Sequence, residues 1–318
     1  MKATILFFLL LSTSGPAMAE PFVCPDLSIG ETQEDCPWAG LARELIATTG
    51  GGTSVMTKIQ RSLPALYANV QSDSSNRAMK DFWGESLNFD EVARATTIQP
   101  SILDALAAFF AVPAPRANVV HAGLAHTYGY LFSVLRTPYG FKRTRWVSGN
   151  VERGLGIPVG TLGPSPAEGT LFSNVTHFSA RVAFQHDAPR VAKLERASKA
   201  SPIIKGFKYQ DLEFTHIEET TVVRDPSAVR AVEVALFTDL VMFPNATPSN
   251  AALLTYSVRE GSGEQRLITS FPVDQAFVDR ITKPSDFGDD KPIQARYNAY
   301  VKPLEGRTAT GSRQLIRN

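Results

Sequence analysis

Cysteine is scarce, with two residues in a chain of 318. That excludes a multi-disulfide scaffold and a four-cysteine zinc site, and no Cys-x-x-Cys redox pair is present. The chain also lacks a GxSxG nucleophile elbow, an HExxH metal pair and a P-loop. Gly154-Leu155-Gly156 runs into Pro158, where a dinucleotide fingerprint would open a helix. Asp289 and Asp290 stand beside Lys291 without the further spaced acids of a calcium loop. The reading is therefore no metal and no cofactor.

An excess of one charge is missing as well. Lys plus Arg number 32 against 31 Asp plus Glu. A nucleic-acid partner thus gains no support from net charge and would need a local basic patch. Long apolar runs are absent after the first residues, and a membrane-spanning helix needs about 20 apolar positions.

Residues 1–19 read as a signal peptide: Lys2 gives a positive start, Ile5 to Leu11 an apolar core, and Ala17-Met18-Ala19 a small-x-small cleavage site. This predicts a periplasmic or secreted protein. In an oxidising compartment Cys24 and Cys36 are expected to form a disulfide that pins an irregular arm over residues 20–38 and stabilises by up to roughly 3 kcal/mol.

Residues 39–148 carry helical periodicity. Leu41, Leu45 and Ile46 form one apolar stripe, and Met56, Ile59, Leu63, Leu66 and Val70 another. Ser101 to Asp104 resembles a capping box that would open a helix ended by Pro113. Val120, Leu124, Tyr128, Leu131 and Val134 continue at helical spacing past Gly123 and Gly129. Residues 149–169 are rich in glycine and proline and read as a connector.

From 170 to 304 the period becomes two. Leu212, Phe214 and His216 alternate with polar residues, and Val232 to Met242 reads as a long strand. Leu254 to Val258 and Leu267 to Phe271 flank Gly261-Ser262-Gly263 as a hairpin, and Ile293 to Val301 reads as a last strand before a polar tail at 305–318. Helices first and strands afterwards predict an α+β fold, with an N-terminal helical region followed by a mainly antiparallel β-sheet.

The candidate site lies in residues 121–146, HAGLAHTYGYLFSVLRTPYGFKRTRW. His121 and His126, five apart, would sit about 140° apart on a helix and could not easily share one metal ion. His126 and Tyr130 stand at i and i+4, so they share a face and suit either an acid–base pair or a buried hydrogen bond. Lys142, Arg143 and Arg145, flanked by Tyr139, Phe141 and Trp146, suit phosphate, carboxylate or nucleic-acid contacts, or else a solvated loop or a sheet edge guarded by charge. His177 and His216 read as satisfied histidines of the core, and His186 as a loop residue beside Asp187. Arg296-Tyr297-Asn298-Ala299-Tyr300 is a further pocket candidate.

Two functions follow from this pattern. One is an exported, metal-independent hydrolase of an anionic substrate, with His126 as acid or base, Tyr130 orienting it, and His121, Lys142, Arg143, Arg145, Trp146 and Arg296 holding substrate. The other is a periplasmic binding or protein-interaction module without catalysis, in which the β half supplies a cavity for a small anionic ligand or a partner surface, the helical half covers it, and the histidines are structural.

Overall fold

A computed structural model of the protein describes residues 21–47, 52–90, 93–115, 119–137, 140–162, 171–224, 231–293 and 309–317. The leader at 1–19, Arg296 and the strand expected beyond Ile293 lie outside the described residues. The fold is α+β, helical first and closed by a six-stranded sheet.

The arm is a short hairpin of β1 (Phe22–Val23) and β2 (Ile29–Gly30), and the Cys24–Cys36 disulfide ties it to the first residue of α1 (Cys36–Ile46). Then follow α2 (Gly52–Ser62), α3 (Pro64–Ser74), α4 (Arg77–Lys80), β3 (Glu85–Leu87), α5 (Pro100–Phe110) and β4 (Val119–His121), with β3 and β4 paired. Next come α6 (Thr127–Gly129), β5 (Arg136–Thr137), β6 (Gly140–Phe141), α7 (Lys142–Val147) and α8 (Asn150–Leu155). The helical layer ends with α9 (Leu171–Ala183), α10 (Ala188–Ala197) and α11 (Pro202–Lys205). The sheet uses β7 (Phe214–Arg224), β8 (Ala231–Thr247), β9 (Asn250–Glu260), β10 (Arg266–Val273), β11 (Gly288–Ile293) and β12 (Ala309–Arg317), with α12 (Gln275–Ile281) between β10 and β11. Its order is β10-β9-β8-β7-β12-β11, antiparallel throughout.

Both faces of the sheet are covered. Val234, Leu236 and Leu240 pack with Leu254, Tyr256 and Val258 under Phe277, Val278 and Ile281 of α12. Phe214, Val241, Phe243, Leu253 and Leu267 join the helical layer through Trp83, Phe178 and Phe184. Residues 234–241 of β8 are consequently all buried, which dulls the two-residue alternation at its centre.

Several local expectations differ from the structure for identifiable reasons. α5 starts at Pro100 without a side-chain cap. Proline's fixed φ and missing N–H suit the first helical position, so no capping box at Ser101 is needed. Residues 122–126 form a π-type turn with non-helical Gly123, which breaks the expected long helix. In the glycine-rich stretch at 149–169, α8 is bracketed by Gly149 and Gly156, both at positive φ, so these glycines end a helix where loop was expected. α9 to α11 occupy the start of the stretch expected to be strand-rich, and β12 runs through the polar tail.

Candidate functional site

The segment 136–146 begins as the β5–β6 hairpin and turns into α7 at Lys142. Successive residues of a helix point about 100° apart, and here they meet different neighbours. Arg143 is fully buried, donates from Nη1 to the Ser133 carbonyl at 2.5 Å and from Nη2 to the Ile29 carbonyl at 2.6 Å, and lies 4.2 Å from the Phe141 ring centroid. It clamps the N-terminal arm to the helical layer. Thr144 donates to the buried Asp35 carboxylate, and the Phe141 N–H donates to Glu31 Oε1 at 2.8 Å, so the arm is held at two further atoms. Trp146 is buried in the helical core.

Lys142 and Arg145 face another way, towards the sheet. The Lys142 ammonium lies 3.4 Å from Asp90 Oδ2 and 4.9 Å from the Tyr130 ring centroid. Asp90 is wholly buried, and its Oδ1 accepts from the Ala93 N–H at 3.0 Å, which fixes its orientation. Arg145 donates to the Pro272 carbonyl at 2.7 Å and so fastens α7 to the end of β10.

Between α7 and the sheet lies a cavity of ≈ 30 Å³. Lys142, Arg145, Asp90, Asp274 and Thr137 supply its polar wall, with Asp274 Oδ1 taken up by the Phe277 N–H at 2.7 Å, and Phe271, Val273 and Phe277 its apolar one. A water molecule needs roughly 10–15 Å³ on this measure, so the space suits a head group whose remainder lies outside. Burial lowers the Lys142 amine to about 8, against the opposing pull of Asp90. A desolvated lysine with one specific counter-charge in a cleft is a recurrent mark of a functional site.

Behind Lys142, His126 Nε2 and Tyr130 Oη share a hydrogen bond of 2.6 Å, the i to i+4 contact expected from the sequence. The two side chains are 1% and 3% exposed. Burial, with the Lys142 charge adding to it, lowers His126 to about 3, so its imidazole is neutral across the physiological range. Among the described residues His126 Nδ1, which is buried, has no hydrogen-bond partner. The structure thus gathers His126, Tyr130, Lys142 and Arg145 around one seam and turns Arg143 and Trp146 away from it. His121 ends β4, but its side chain, like Arg296, lies outside the described residues.

Asp90 and the phenylalanines of β10 and α12 carry no signal in the sequence, because only the packing of the sheet on α7 brings them to Lys142. A second pairing is likewise tertiary. His216 Nδ1 meets Asp239 Oδ1 at 2.7 Å, directly across β7 and β8, and the imidazole stacks on Phe237. Burial works to lower the His216 pKa, yet the bond and charge of Asp239 raise it above its ordinary value. Asp239 itself is raised by burial.

Among the described residues no group of three or more His, Cys, Asp or Glu side chains could hold a metal ion, and no helix is long and apolar enough to cross a membrane. No protein-family model, curated protein or solved structure matches the chain.

Proposed function

We propose that the protein is an exported binding protein for a small organic acid whose carboxylate enters the seam cavity beside Lys142. The observation that carries this reading is the placement of the Lys142 ammonium, paired with Asp90 at 3.4 Å, on a cavity walled by Phe271, Val273 and Phe277. A second cation, Arg145, lines the same space. A carboxylate there would gain charge-assisted hydrogen bonds, and its apolar remainder would cover phenylalanine rings at the mouth. Export rests on the leader pattern at 1–19 and is compatible with the Cys24–Cys36 bridge.

Binding is favoured over hydrolysis by the state of His126. A general base must reach the proton it removes and hold a pKa near the working pH. His126 is enclosed, hydrogen-bonded to Tyr130 and far too weak a base.

The test is calorimetric titration with benzoate and hexanoate, using the corresponding amides as uncharged controls. The acids should bind and the amides should not. Lys142→Met combined with Asp90→Asn removes both charges without stranding either, and should weaken acid binding by about tenfold or more, close to 1.4 kcal/mol. Equal binding of acid and amide, no binding of either, or an unaffected double variant would overturn the reading.

A further inference from the structure

A second cavity, of ≈ 380 Å³, shares no residue with the seam. Arg77 and Lys80, three apart on α4, lie on one side of that helix. The chain after α4 is pinned to β10: the Leu267 N–H donates to the Phe82 carbonyl at 2.8 Å, and the Gly84 N–H donates to the Leu267 carbonyl at 2.8 Å. That docking brings Arg266 to the same concavity, which Val112 and Pro113 complete after the end of α5.

The charges here do not balance. Three cations line the cavity against one carboxylate, Asp81, and none of the three lies within ion-pair distance of an acid among the described residues. Glu264 nearby is paired with Arg190 at 2.8 Å, and Arg266 acts on it only through the weaker, longer-range attraction of its charge. Lys80 donates to the Phe110 carbonyl at 2.5 Å, and its amine is lowered by burial and by the neighbouring Arg77 charge. Cations held together in this way repel one another unless an anion joins them.

We propose that this cavity is a seat for a phosphate dianion, either free or as the monoester of a small organic molecule. Two guanidinium groups offer paired donors that match phosphate oxygens, and the Lys80 ammonium adds a point charge on the same cavity. The cavity falls within the range of about 300–1,000 Å³ usual for small-molecule sites, and Val112 and Pro113 offer an apolar flank to the organic part of an ester. The site stands independently of the organic-acid reading at Lys142.

Calorimetric titration of the full chain with inorganic phosphate and with glycerol 1-phosphate tests it, against sodium chloride at matched ionic strength. Saturable binding of either phosphate is expected. Arg77→Gln with Arg266→Gln, both at exposed positions, should weaken it by at least about tenfold, as loss of hydrogen bonds between charged groups predicts. The same variant should bind benzoate as the unaltered protein does. Tighter binding of the ester than of phosphate supports the site and places the organic part on Val112 and Pro113; equal binding supports the site with the free anion as ligand. Neither phosphate exceeding chloride, or a double variant that binds like the unaltered protein, would overturn the proposal.

Discussion

Arg143 shows how burial changes what a residue type means. In the sequence it belongs to a basic run suited to an anion, but its guanidinium joins the carbonyls of Ser133 and Ile29. Nothing local announces this, because one of its acceptors sits in the disulfide-tied arm. Arg143→Ala should therefore cost about 3 kcal/mol in urea unfolding, through two stranded carbonyls and a cavity. Arg143→Lys should cost nearly as much, since an ammonium cannot span both acceptors. A loss below about 1 kcal/mol in both variants would contradict the clamp.

The histidines give a pH dependence whose sign follows from burial. His126 is lowered to about 3 and His177 to about 4, both chiefly by desolvation. Between those values and the ordinary histidine pKa, the unfolded chain binds protons that the folded one refuses, so stability falls as pH drops through this window. His216, raised by Asp239, acts in the opposite sense, its contribution fading as pH rises past the ordinary value. Urea unfolding at several pH values should show the net loss on acidification. In His126→Gln the slope between about pH 6 and pH 4 should shrink by roughly 1.4 kcal/mol per pH unit. An unchanged slope would mean that His126 titrates normally. The His126–Tyr130 contact itself was legible because i to i+4 spacing survives the local π-type distortion. Its burial was not, since that depends on the whole helical layer.

At the scale of elements, the hairpin of β9 and β10 was readable from alternation on either side of a glycine turn, and Gly261 indeed adopts positive φ. β12 was not readable. It sits between β7 and β11, yet its residue facing Glu219 is Arg313, which pairs with that carboxylate at 3.1 Å and donates to the Ile281 carbonyl at 3.0 Å. An interior strand built round a buried ion pair looks like a polar tail. Close packing of this strand also depends on Gly311, where an added Cβ would come within 2.1 Å of the Thr220 carbonyl oxygen. Gly311→Ala should push β12 off β7, lower stability by about 2 kcal/mol or more, and raise amide exchange along residues 309–317. Unaltered exchange there would contradict the register.

For the molecule as a whole, the sheet is held between a large helical core and a smaller one under α12. Arg145, bonded to the Pro272 carbonyl, fastens the two layers where the seam cavity opens. The division into helical and strand-rich parts could be read from hydrophobic period alone. The cavity could not, because its walls come from segments far apart in sequence that meet only when α7 lies on the end of β10. The seat proposed for an organic acid thus rests on the assembled layers.

We propose that the desolvated Lys142 ammonium receives a carboxylate. Carbon-13 NMR of lysine side chains, with Lys142 identified by loss of its signal in Lys142→Met, tests it most directly. One lysine should titrate near 8 in the free protein and move upward when benzoate saturates the site, since a second carboxylate favours the charged amine. A Lys142 signal that titrates with the ordinary lysines, or one that saturating benzoate leaves in place, would contradict the account.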